Sequence, residues 1–427
     1  MKRKLVVVTL ALLAATSLFA GGAQEGPATL NVLVESGGFM QQEEIAKQYE
    51  ESTGNKINFI NVPYDSLYDK LTAEMAAEGS TYDVVTLPGE WIPRFASFAE
   101  PLDDLFTAEV KNDLFPSLVV EAKYKGKYVG MPTWANVQIL FYRKDLFQDP
   151  GEKTEFKKKY GYELKPPTNW QEFIDVAVFF TRDTDGDGNI DFYGTDVKGA
   201  PQGIDTEYPL HVLQAGSEGI VLDSAGNIIV DNQAHIDALK FYVDLHRKYH
   251  VSPPSVLEID WAVAQQLFYQ GKTAMTRFWG HAYRMVPDDA IVAGKVGAAP
   301  MIAGKAGIAS VPGSYYNMIP KTSKHRDVAR QFVEFAYEKN VLQLESPLGL
   351  AARKSAYAEY FDTPGYEHLR AFSETLSAKQ TKARPAVENW QEINREVLVP
   401  MVQEVLSGNK TAEEAVKWAR TKLESMM

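Results

Sequence analysis

The chain has 427 residues, 45% hydrophobic and 23% charged, a globular composition that excludes a disordered, collagen-like or coiled-coil protein. At about 150 residues per domain, this length accommodates two or three domains. Lys+Arg 44 against Asp+Glu 56 gives a formal net charge of −12, which argues against a nucleic-acid partner, and the absence of cysteine excludes disulfides, thiol catalysis, zinc ribbons and a lipid attached through an N-terminal Cys.

Lys2, Arg3 and Lys4 precede an apolar run from Leu5 to Ala20 that is broken only by Thr9, Thr16 and Ser17, and the small residues Gly21, Gly22 and Ala23 follow. This is the make-up of a secretory signal peptide, its core shorter than the roughly 20 residues of a spanning helix. Residues 1–23 are expected to be removed, cleavage after Ala20 or Ala23 both fitting, and the mature chain is expected to be periplasmic or secreted. No later stretch is apolar enough to span a bilayer.

Thr29–Val34 reads as a strand and 41–53 as a helix with Ile45 and Tyr49 on one face, stopped at Gly54. Ile57–Val62 is the next strand. A helix with Leu67, Leu71 and Met75 at i, i+4, i+8 ends near Gly79, and Asp83–Leu87 is a third strand. Such β-α-β-α-β alternation predicts a parallel sheet flanked by helices. Ligands of such sheets lie at carboxyl strand ends, which marks the loops after Val34, Val62 and Leu87. Further on, Tyr128–Pro132 and Val137–Tyr142 read as strands around a loop carrying Trp134. Thr168–Gln171 resembles a capping box opening a helix with Phe173, Val176, Ala177 and Phe180. Helices are also readable near 234–249, 259–270, 326–339, 388–406 and 411–425, the last opened by a second capping box, Thr411 to Glu414.

Enzyme signatures fail on inspection. G-x-S-x-G and H-E-x-x-H are absent, and Gly271-Lys272-Thr273 lacks the first phosphate-loop glycine, Gln266 standing in its place. His246 and His250 have helical metal spacing but no third ligand nearby. Asp183, Asp185, Asp187, Gly188 and Asp191 match positions 1, 3, 5, 6 and 9 of an EF-hand loop, with Asn189 a further candidate ligand, while position 12 is Gly194 instead of Glu. A structural Ca2+ and a metal-free loop held by Asx turns both fit this pattern, and neither is catalytic; no other cofactor is indicated.

Aromatic residues mark the predicted loops: Phe39, Tyr64, Trp91, Trp134, Phe278 or Trp279, Tyr315 and Trp390. A sugar ring has apolar C–H faces and an equator of hydroxyls, so ring platforms beside polar groups suit it. Glu90, Asn136 and Glu388 each stand next to such a platform.

Taken in order, several segments are similar to extracellular solute-binding proteins of ABC importers, the sugar-binding family 1 that includes maltose-binding protein. They are Tyr82–Val85 with Trp91, Gly126–Pro132 into Leu140–Phe147, Trp170–Phe173, Phe268–Met275 with Trp279, and Ile319–Ser323 into Ala329–Phe332. The family more usually has Gly-Pro-Trp where this chain reads Thr276 to His281. The resemblance implies an α/β, type II two-lobed periplasmic-binding-protein fold, each lobe a mostly parallel sheet flanked by helices, with the ligand cleft between lobes. It places residues 28–136 with 301–342 in one lobe and 137–300 with 343–427 in the other, crossings falling near 135–138, 299–303 and 340–348. The implied function is non-catalytic: a monomer captures a carbohydrate and delivers it to the transmembrane subunits of an ABC permease. A non-sugar solute in the same fold, or a secreted polysaccharide-degrading enzyme with a carboxylate pair across the cleft, is the alternative.

Overall fold

The computed structural model describes residues 26–427; the expected signal peptide lies outside the described residues. Two sheets organise the molecule. The first contains β1 (Thr29–Glu35), β2 (Lys56–Val62), β3 (Val84–Pro88) and β4 (Met131–Trp134). The second contains β5 (Gln138–Arg143), β6 (Met275–Trp279) and β7 (Val296–Ala299), after which β8 (Tyr315–Met318) returns to the first. The order in the first sheet is β2-β1-β3-β8-β4, with β1 parallel to β2 and β3, and β8 antiparallel to β3 and β4.

The two-lobed α/β architecture is present, but the second sheet departs from the expected parallel character. Its ladder, β6-β5-β7, is antiparallel throughout. Parallel pairing joins this sheet at an irregular edge, where the Tyr193 N–H donates to the Lys272 carbonyl and the Ala274 N–H to the Tyr193 carbonyl, at 3.0 and 2.9 Å. Short strands of this kind give no alternation long enough to reveal direction in a sequence.

Helix starts and stops follow local chemistry. The helix Phe39–Thr53 buries Ile45, Ala46 and Tyr49 and ends at Gly54, whose φ of 78° suits a residue without Cβ. The helix Ala412–Met426 opens on the complete Thr411/Glu414 capping box. In the helix Trp170–Phe180 the cap is Asn169, one residue later than expected; its side chain accepts from the Glu172 N–H, and Glu172 bonds back to the Thr168 N–H at 2.9 Å. The helix Pro201–Gln214 is new. It is buried on nearly every side, so no apolar stripe marks it, and Pro201 sits at its start where a missing N–H costs nothing. The segment expected as one helix over 388–406 is Trp390–Ile393, a π-helical turn Asn394–Leu398 and Val399–Leu406. Pro400 cannot donate to a preceding carbonyl, and the Val399 N–H bonds five residues back to Asn394.

Two hydrophobic cores result. One joins the first sheet to one face of the second, through Ile139, Phe141, Leu350, Tyr357 and Phe372; the other packs the helices 201–214, 233–247, 399–406 and 412–426. The chain passes between sheets at 135–137. On the return, Ile302, Ala309 and Val311 still belong to the second core, so the passage falls at 312–314. Leu344 through Leu376 pack in the first core, and the helix His368–Ser377 lies on β5 and β7. The segment from 343 to 376 thus backs both sheets, and the final passage to the second core falls in 377–389. Among the described residues no helix is long and apolar enough to cross a membrane.

Candidate functional site

A cavity of about 990 Å3 opens between the two lobes. The carboxyl ends of β1 and β3 supply Glu35 and Gly37, then Pro88, Glu90 and Trp91, from the first lobe. β4 ends in Trp134 and the passage after it supplies Asn136; β6 ends in Trp279, with His281 in the turn that follows. The helix starting at Pro201 contributes Gln202 and Asp205, and the π-helical turn contributes Asn394 and Arg395. The strand-end rule therefore located two of these loops from sequence alone.

Aromatic rings form most of the apolar wall. Trp134 stacks on Tyr315 at 4.6 Å between centroids and 21° between planes. Its ring edge occupies the space over Gly38, where a Cβ would come within 2.8 Å of Cη2. Trp91 lies between Tyr64 and Tyr68, at 5.2 and 5.1 Å. Across the cleft, Trp279 packs on Trp261 at 5.4 Å. Trp91 and Trp134 are nearly buried, whereas Tyr64 is 42% exposed.

Polar groups interleave with these rings. Arg384 bridges the lobes: one guanidinium nitrogen lies 3.5 Å from Glu90 and donates to the Pro312 carbonyl, and the other lies 3.1 Å from Asp205. Burial works against the charge of Arg384, but Glu90 and Asp205 more than offset this and raise its pKa. Burial raises the Asp205 carboxyl, an effect Arg384 opposes. Glu35 accepts from the Tyr315 hydroxyl at 2.7 Å, and burial raises its carboxyl above the usual range despite that bond. The Asn136 amide donates to His281 Nδ1 at 2.9 Å, and burial lowers the imidazole to about 4, so it is neutral at pH 7. Glu90 Oε2, Trp91 Nε1 and Arg384 Nε are buried with no hydrogen-bond partner among the described residues.

Of the residues expected from sequence, Tyr64, Glu90, Trp91, Trp134, Asn136, Trp279 and Tyr315 share this cavity. Four do not. Phe39 opens its helix against Phe59, at 6.4 Å. Phe278 is 3% exposed and packs edge-on to Trp261; strand alternation sends it to the face opposite Trp279. Trp390 is 2% exposed within the second core, because the helix it opens buries that side. Glu388 is half exposed and bonds Tyr124 and Lys125 at 2.9 and 3.1 Å, away from the cavity wall. Glu35, Asp205, Trp261 and Arg384 were not legible as site residues. Trp261 stands at the start of an amphipathic helix, and Arg384 lies in a segment whose partners are 72 to 294 positions away in sequence.

The Asp-rich loop lies elsewhere, between the helix Trp170–Phe180 and the irregular edge at Tyr193. Asp183, Asp185 and Asp187 bring one carboxylate oxygen each within 4.8 Å of one another. Asn189 instead donates to Asp187, and Asp191 turns to the Thr184 backbone and hydroxyl. Backbone N–H groups of Gly188 and Gly186 hold the Asp183 carboxyl below its usual range. The loop is thus stitched by Asx-type bonds, with three of the five expected ligands gathered.

Comparison with known proteins places this cleft in context. Residues 41–341 match the family described as bacterial extracellular solute-binding protein. The chain is similar to maltose-bound MalE3 of T. maritima, with TM-score 0.75, 24% identity, and coverage of 94% of this chain and 100% of that one. It is similar also to an ABC transporter solute-binding protein of Thermotoga lettingae bound with alpha-D-tagatose, with TM-score 0.76, 25% identity, and 93% and 99% coverage. A mannitol-binding protein of Pseudomonas aeruginosa is 24% identical over 377 residues, 82% of this chain and 80% of its own. With the family match spanning well over half its length, and two lobes enclosing an aromatic and polar cleft, the chain belongs to the bacterial extracellular solute-binding protein family.

Proposed function

We propose that the protein captures a carbohydrate (a sugar, oligosaccharide or polyol) between its lobes, outside the cytoplasm, and hands it unaltered to the permease of an ABC importer. The observation that carries this reading is the cleft wall itself. Indole and phenol rings from both lobes, Trp134 stacked on Tyr315 and Trp279 packed on Trp261, face one cavity, and carboxylates, an amide and a guanidinium stand between them. Rings cover the C–H faces of a sugar, while hydroxyls, which both donate and accept, suit the mixed polar set. Family membership and relatives that bind maltose, tagatose or mannitol support the same solute class.

The cavity volume accommodates a mono- to oligosaccharide, since small-molecule sites run about 300–1,000 Å3. Closure follows from contacts that exist only when both lobes touch the solute, and the hinge passages let them move. A thermal-shift screen of mono-, di- and oligosaccharides and polyols tests this. A ligand at 100 times its Kd should add about 2.7 kcal/mol of stability. Stabilisation by amino acids or peptides alone, with none by any carbohydrate, would overturn it.

A further inference from the structure

The charge lining the cleft is one-sided. Glu35, Asp69, Glu90, Asp205 and Glu392 bring five carboxylates to it, against the guanidinium groups of Arg384 and Arg395. Arg384 serves Glu90 and Asp205 together, and Arg395 pairs with Glu396, which lies outside the cavity wall. Among the described residues, Glu35, Asp69 and Glu392 form no ion pair, and the buried Glu392 Oε2 has no hydrogen-bond partner.

Glu35 stands at the aromatic end, beside Tyr315. Its Oε2 is engaged by Tyr315. Its Oε1 stands over Gly37, 3.6 Å from where a Cβ would be, and among the described residues nothing donates to it. Beside it are the stacked rings of Trp134 and Tyr315. A carboxylate with no cation beside it attracts an ammonium group by opposite charge, the more strongly in a cleft that excludes water. A hydroxyl could bond Glu35 but would leave the surplus negative charge uncompensated as water leaves the closing cleft. A phosphate or uronate would meet it as a like charge.

We propose that the solute carries a protonated amine on its carbohydrate skeleton, received by Glu35 beside Trp134 and Tyr315. This rests on the carbohydrate reading above. The test is calorimetric titration at pH 7 with matched amine and hydroxyl pairs: D-glucosamine and D-glucose, D-galactosamine and D-galactose, chitosan disaccharide and cellobiose. In at least one pair the amine should bind tenfold or more tighter. In Glu35→Gln the amine should lose about tenfold, while its hydroxyl partner changes less than threefold. If only hydroxyl members bind, if they bind as tightly as the amines, or if Glu35→Gln weakens both equally, the amine assignment falls and the carbohydrate reading stands. If neither these sugars nor any in the wider thermal-shift panel binds, both fall.

Discussion

Single residues in this protein divide by what lies behind them. Trp279 is half buried, lines the cavity and rests on Trp261, so its ring is available to a solute. Trp279→Ala should lower solute affinity by about 1–3 kcal/mol and leave the unfolding midpoint nearly unchanged. Trp390→Ala should do the reverse, costing about 3–5 kcal/mol of stability at unchanged affinity, because its ring fills the second core. Titration and denaturant unfolding of both variants check the pair.

Glu121 offers a pH test. It is buried beneath Gly89, accepts from the Tyr316 hydroxyl at 2.7 Å, and burial pushes its carboxyl up to about 8. The folded protein therefore holds a proton that the unfolded chain releases near pH 4.5. Stability should fall as pH rises between these values, by up to about 1.4 kcal/mol per unit, and level off above 8. Glu121→Gln should flatten this slope in unfolding curves taken from pH 5 to 9; an unchanged slope would contradict it.

Elements were legible where periodicity and caps act locally. The first three strands and their helices followed from alternation, and Thr411 with Glu414 marked the last helix. Thr411→Ala should cost about 0.5–2 kcal/mol without touching affinity, since that helix lies in the second core away from the cleft. The helix 201–214 and the antiparallel second sheet were not legible, because burial on all sides erases an apolar stripe and short strands carry no direction. The same limit governs the site. Glu90, Trp91 and Asn136 follow strand ends, and Trp134 closes β4; the strand-end rule or aromatic clustering marks all four. Arg384 joins the cleft only through partners distant in sequence, and Phe278 and Trp279 differ only by which face of β6 they take. The π-helical turn at Asn394 arises from Pro400 and turns cleft residues inward, a consequence that composition does not announce.

At the scale of the whole molecule, two lobes share a continuous core behind the hinge and meet in front through Glu90, Arg384 and Asp205. Removing the cation leaves two enclosed carboxylates facing each other. Arg384→Met should cost about 3–5 kcal/mol in unfolding experiments, and adding Glu90→Gln and Asp205→Asn should recover much of that loss. Capture of an unaltered carbohydrate in one cleft can be read by native mass spectrometry after incubation with a mixed panel of sugars and polyols. A single 1:1 adduct should form, and its released ligand should have the mass of the sugar supplied. No carbohydrate adduct, or release of a cleaved sugar, would contradict it.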